Sequence, residues 1–188
     1  LIAAEFEVPV PKEMVQRGWQ YLAREAKEDW LPRAIADDCC WELLTFANYV
    51  ASSYPDPSIM GDAFPFERRN EILDFSFKHW KRHAPQSKLQ LALTLARMDR
   101  PQEARLVLDS VMDSAKSDRD LGTYWAPEDR AWLWYNDTIE THAWALRALS
   151  EIAPSDVRRE GLVQWLFLNK KLGHWKSTRA TAEVLYSL

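Results

Sequence analysis

Glycine is scarce, with five in 188 residues. A sandwich of many short strands needs glycine at its tight turns, whereas here ten prolines supply most of the punctuation between apolar runs; that balance favours helices. Cysteine is nearly absent. The two present, Cys39 and Cys40, are adjacent, and neighbours rarely close a disulfide because the link demands a distorted peptide. They are expected to be two buried thiols on a helix, with a metal or redox site the lesser alternative. No apolar run reaches the roughly 18 residues that a membrane span needs. Basic clusters are missing too: the net charge is −4 with both signs interspersed, which gives no support to a nucleic-acid footprint. The chain opens on Leu1, Ile2, Ala3 and Ala4 without a basic n-region or a long apolar h-region, so no secretion signal is visible. Leu188 falls inside an apolar helical pattern. Both ends read as cut, and the chain as a piece of a longer protein.

Tryptophan is abundant, with ten in this length, and such large side chains predict a thick aromatic core. The clearest helical signal covers 101–115, where Ala104, Val107, Leu108, Val111, Met112 and Ala115 recur at helical spacing behind Pro101. Segment 137–152 carries a similar stripe of Ile139, Ala143, Leu146 and Leu149, with Asp137 or Thr138 as cap and Glu140 three residues after Asp137. Further helices are expected over 12–26, 38–53, 66–83, 86–98, 156–170 and from 178 onward. Leu89, Leu91, Leu93 and Leu95 alternate as in a strand. Their leucine, alanine and arginine company instead favours a helix buried on all sides.

A repeat supports that choice. Ser87, Ala92, Leu95 and Met98 match Thr138, Ala143, Leu146 and Leu149, and then Ser177, Ala182, Leu185 and Leu188. The copies are spaced by 51 and 39 residues, about one helix hairpin each, which marks stacked hairpins in an open solenoid or a closed ring. The three alanines are expected at close helix contacts. Two connections are long, 54–65 and 116–136. The second contains Trp125, Trp132, Trp134 and Tyr135, a candidate partner-binding platform that could equally fold back over the end of the ring.

Chemistry-bearing residues are few. His79 and His83 lie four apart on an expected helix, but a zinc site needs a third ligand, and Lys81 and Arg82 between them disfavour a cation. His142 falls on the inner stripe of its helix, where a satisfied core histidine is expected, and His174 lies in a turn after Gly173. The acidic pairs Asp37–Asp38, Glu128–Asp129 and Asp137–Glu140 are expected to serve helix N-termini or loop solvation, although inverting glycosidases use two carboxylates ~6.5–9.5 Å apart. No glycine-rich phosphate loop and no nucleophile with a recognisable base is present in the sequence. No catalytic, cofactor-binding or metal residue is therefore assigned.

The run Asn136-Asp137-Thr138-Ile139-Glu140-Thr141-His142-Ala143-Trp144-Ala145-Leu146-Arg147-Ala148-Leu149 resembles the later half of the thioester domain of alpha-2-macroglobulins and complement-like proteins. So do Val163-Gln164-Trp165-Leu166 and the stretch from Gly173 to Glu183 (Gly173-His174-Trp175-Lys176-Ser177-Thr178-Arg179-Ala180-Thr181-Ala182-Glu183). The resemblance is good over 86–188 and loose over 1–85. In the glycine–aromatic–serine–threonine turn, glycine would end one helix and the hydroxyl would cap the next. The resemblance implies an all-α, antiparallel helix-hairpin array. Residues 1–188 would form a single helical domain, part of an α/α toroid whose first hairpins precede this chain. The family's thioester joins a cysteine and a glutamine in a Cys-x-Glu-Gln motif. Cys40-Trp41-Glu42-Leu43 lacks that glutamine, so no family site residue carries over. Bacterial members, which this sequence resembles most, imply a periplasmic, envelope or extracellular protein. The segment would then be a non-catalytic scaffold for trapping proteases, flanked by β-sandwich domains and without a cofactor, and weak self-association through an exposed apolar edge is expected. The competing classes are a helix-ring enzyme (prenyltransferase, terpene cyclase or glycosidase) and a solenoid interaction module.

Overall fold

The computed structural model describes residues 8–54, 60, 64–125 and 137–188. The chain is mostly helical, as expected, and divides into two compact units, Leu1–Lys81 and Arg82–Leu188.

In the first unit, α1 (Lys12–Glu25) passes through a π turn (Ala26–Trp30) into α2 (Leu31–Asp37) without a break. The sequence reading stopped this helix at 26. After a short turn come α3 (Trp41–Ser52) and α4 (Phe66–Lys78), and then a 3₁₀ turn, Trp80–Arg82. The core gathers Trp19, Leu31, Ala34, Leu44, Ala51, Met60, Phe64 and Ile72. Trp19 is its centre, with Tyr54 and Phe64 meeting it edge-on at centroid distances of 5.6 and 5.7 Å. The Asn48 amide of α3 donates to the Arg69 carbonyl of α4 at 2.9 Å, which ties the two helices side chain to backbone.

The second unit starts with α5 (Pro85–Arg97) and α6 (Pro101–Met112), each with proline in its first turn, where no N–H partner is needed. Leu89, Leu91, Leu93 and Leu95 are all buried, with Ala92 and Thr94 between them. The alternating leucines therefore belong to a helix enclosed on nearly every side. A small hairpin follows, β1 (Lys116–Asp118) with β2 (Gly122–Tyr124), pairing antiparallel with Lys116 opposite Tyr124. Then come α7 (Thr138–Ile152), α8 (Arg158–Leu168) and α9 (Thr178–Ser187).

Hairpin partners α5 and α6 pack together, and α7 packs on α8, while α7 also contacts both α5 and α9. Ion pairs give the relative direction of the last two layers. Lys176 reaches Asp137 at 2.5 Å, Arg179 reaches Glu140 at 2.6 Å, and Glu183 reaches Arg147 at 2.9 Å. Their sequence offsets stay near constant along both elements, so α7 and α9 run parallel, at the 39-residue offset of the repeat. At the other flank, Arg97 of α5 grips Glu151 of α7 with two bonds of 2.7 Å.

One repeat expectation fails. Ala92 and Ala143 are fully buried, but Ala182 is exposed, as are Leu185 and Leu188 at 64% and 53%. Helix α7 has neighbours on both flanks, whereas α9 turns Ala180 and Val184 inward and leaves the face bearing Ala182 uncovered among the described residues.

Candidate functional site

Among the described residues of the second unit, a polar and aromatic assembly surrounds the first turns of α7. Asp137, itself in extended backbone, caps the helix by accepting the Glu140 N–H at 3.1 Å. This is the capping role expected of the acidic pair, and it leaves the other carboxylate oxygen for Lys176. Glu140 is buried, and its desolvation pushes its pKa up against the opposing Arg179 contact. Both carboxylates are thus engaged with cations of the α9 segment, Asp137 also with a backbone donor.

One turn further, His142 is wholly buried. Its Nδ1 lies 2.7 Å from the Thr138 carbonyl oxygen, which can only accept, so Nδ1 carries the proton. Nε2 is left as an acceptor facing the Trp125 backbone N–H at 3.4 Å. Trp165 stacks on the imidazole with centroids 3.5 Å apart and planes 10° from parallel, and Trp125 meets it edge-on at 4.9 Å. Desolvation drives the His142 pKa down to about 4, only partly offset by the bond to Thr138. A neutral ring with both nitrogens facing backbone groups is the satisfied core histidine the sequence predicts.

The β-hairpin delivers Trp125 to this position. Asp118 Oδ1 accepts from the backbone of Asp120 and Leu121 at 2.8 and 2.9 Å and closes the turn. Gly122, at φ +81°, presses onto Gly161 of α8 so closely that a Cβ there would lie 2.2 Å from the Gly161 oxygen. The sequence reading missed the hairpin, whose turn signals are Ser117, Asp118 and Asp120 ahead of Gly122. The Trp125 indole N–H then donates to the Val111 carbonyl and to Ser114 Oγ, each at 3.1 Å. This member of the candidate platform is half-buried and folded against the end of α6. Trp132, Trp134 and Tyr135, like Glu128 and Asp129, lie outside the described residues.

Beside His142 a cleft of about 490 Å³ opens between the start of α7, the end of α8 and the turn before α9. Thr138, Ile139, Trp165, Asn169, Lys171, His174, Trp175 and Lys176 line it. Trp175 is anchored by its indole N–H on the Leu166 carbonyl at 2.7 Å. The turn is a tight one, with Leu172 at φ +49° and Gly173 at φ +88° between paired Lys171 and His174, a conformation that favours glycine. Gly173 therefore serves a reverse turn rather than the end of α8, which stops at Leu168. Ser177 behaves as expected and caps α9 by accepting the Ala180 N–H at 3.0 Å. The cleft offers apolar walls with an ammonium-bearing rim, suited to holding a side chain or an aromatic group.

The remaining candidates lie elsewhere. Helix α4 ends at Lys78, and the 3₁₀ turn intervenes, so His79 and His83 do not share a helical face. His79 instead stacks on Trp41 at 5.0 Å and meets Asp38 at 3.3 Å. Asp37 closes the C-terminal end of α2 rather than opening a helix, so the dipole role expected for the Asp37–Asp38 pair does not apply. Cys39 and Cys40 sit between α2 and α3, half-buried and exposed respectively, instead of buried on a helix. Among the described residues, no group of three or more His, Cys, Asp or Glu converges as a metal site would. No described helix is long and apolar enough to cross a membrane. Compared with protein-family models, curated proteins and solved structures, the chain finds no match.

Proposed function

We propose that this chain is a non-catalytic scaffold segment of a macroglobulin-like endopeptidase inhibitor, in which the whole parent protein traps proteases. The observation that supports this most is the layering of Arg82–Leu188, where α7 and its repeat partner α9 run parallel at the repeat offset, with α6 and α8 as hairpin mates. That unit coincides with the stretch over which the macroglobulin resemblance is good. On this reading further hairpins complete an α/α toroid, β-sandwich domains of the same polypeptide adjoin it, and the protein works in the periplasm, envelope or extracellular space without a cofactor. The cleft beside His142 and the hairpin behind it then serve packing between modules. The exposed strip of Ala182, Leu185 and Leu188 on α9 is where an isolated chain would weakly self-associate, which light scattering over a concentration series measures.

The test uses the full-length parent and an endopeptidase with two substrates. Trapping slows hydrolysis of a folded protein substrate while a small peptide substrate is still cleaved. Equal hydrolysis of both substrates with and without the parent overturns the reading, and so does equal inhibition of both.

A further inference from the structure

The link between α2 and α3 is only three residues long, Asp38, Cys39 and Cys40. It turns through left-handed backbone twice without glycine, at Asp38 with φ +49° and at Cys40 with φ +61°. Residues bearing a Cβ hold that conformation only against steric strain, so the surrounding contacts must impose it. They are present on both sides. The Cys39 N–H donates to the Ala34 carbonyl at 3.2 Å, and the Cys40 carbonyl accepts from Leu44 at 3.3 Å. Asp38 meets His79, which in turn stacks on Trp41. The bend brings the two thiols into contact, with Sγ atoms 2.6 Å apart, and Cys40 is open to solvent.

We propose that Cys39 and Cys40 form a redox-active vicinal dithiol that closes reversibly into a disulfide by exchange with a small-molecule disulfide such as oxidised glutathione. The exposed Cys40, as thiolate, attacks one sulfur of the oxidant. A Cys40–glutathione bond forms, the glutathione S–S bond breaks, and one glutathione thiolate leaves. Cys39 then gives its proton to water and attacks Cys40 Sγ, releasing the second glutathione. Two protein thiols are oxidised and one glutathione disulfide is reduced to two thiols. In the resting pair the Cys39 thiol is pushed up to about 11, chiefly by its hydrogen bond with Cys40. Capping Cys40 as a mixed disulfide removes that main cause, so the closing step follows the first.

Covalent geometry makes the bond a labile one. Consecutive Cα atoms are about 3.8 Å apart, below the ~4.4 Å at which unstrained disulfides begin, and strained, exposed disulfides are the readily reduced ones. The pair is therefore a switch in the α2–α3 turn rather than a permanent staple.

Intact-mass measurement after incubation with oxidised glutathione tests the proposal, with Cys39→Ser and Cys40→Ser alongside. The wild type is expected to lose two hydrogens, to resist alkylation at both cysteines, and to recover both thiols in excess reduced glutathione. Each serine variant should stop at a single stable glutathione adduct. A wild type that keeps both thiols alkylatable overturns the proposal. Stable glutathione adducts on the wild type, or disulfide-linked dimers, overturn it equally. The wild-type result decides even where a serine variant fails to fold.

Discussion

Around Trp19 the first unit gathers one aromatic centre: Tyr54 and Phe64 on its edges, with alanines at 26, 34 and 51 completing the same core. In the second unit the described aromatic cluster centres on a histidine instead, His142 between Trp165 and Trp125. That unit is held by backbone pressed on backbone at Gly122 and Gly161, by two helices capped through Asp137 and Ser177, and by ion pairs between layers. In the first unit none of α1 to α4 has a side-chain cap. One region thus concentrates its stability on a large side chain, while the other spreads it over many small constraints. A centred core is vulnerable at one residue; a distributed one is vulnerable wherever two backbones touch.

The largest expected effect lies at the hub. Trp19→Ala should destabilise the first unit by about 4 kcal/mol. Hydrogen exchange should show α1 to α4 losing protection while α5 to α9 keep theirs. Equal loss in both units would erase the contrast.

In the second unit the equivalent break is backbone contact. Gly122→Ala combines a strained φ with a clash against Gly161 and should cost about 3 kcal/mol. Gly173→Ala has the same sign of φ but open space around it and should cost only about 1 kcal/mol. Urea denaturation of the two variants separates conformational strain from contact, and similar losses would show that contact contributes nothing.

Acid should act on the second unit through His142. Its folded pKa of about 4 lies below the ordinary 6.5, so the unfolded chain binds the proton first. The stability this histidine confers is complete above pH 6.5 and declines as pH falls toward 4, by roughly 3 kcal/mol in all. His142→Gln should flatten that decline in denaturation measured between pH 7 and 4.5. An unchanged slope would mean that His142 is reached by water.

The smallest effect runs the other way. Gly18 sits within α1 with open space where a Cβ would project, so Gly18→Ala should stabilise the first unit by about 0.8 kcal/mol, seen as a raised melting temperature. A loss would show that the α1 face bearing Gly18 is closely packed after all.

Apart from α2, the α-helices were legible from the sequence because their buried residues recur at a helical period: Ala104, Val107, Leu108 and Val111 in α6, or Ile139, Ala143 and Leu146 in α7. The π turn was not. An ideal α-helix carries Leu31 about 140° around the axis from Ala26, and only the wider π turn returns both to the Trp19 core. A 3.6-residue pattern breaks at that point, and the expected helix stops at 26. Cys39 and Cys40 were misplaced for another reason: the helix expected from 38 onward begins at Trp41, after left-handed backbone at Asp38 and Cys40. His142 was legible as a core residue from its stripe, but its partners Trp125 and Trp165 come from other elements, and no local pattern announces them. Ala182 shows the limit of a repeat: equal spacing predicts equal register, whereas burial depends on which neighbour is present.

The three ion pairs between α7 and α9 have an order as well as a number. Read along α7 the charges run negative, negative, positive at Asp137, Glu140 and Arg147, and along α9 they run positive, positive, negative at Lys176, Arg179 and Glu183. Turning α9 end for end would bring Glu183 against the two carboxylates, and the apolar residues alone would not object, because repeated hairpins offer one another similar outlines. Charge order works here as an address: it admits one neighbour, in one direction and one register, and lets near-interchangeable hairpins assemble in the order in which they are encoded.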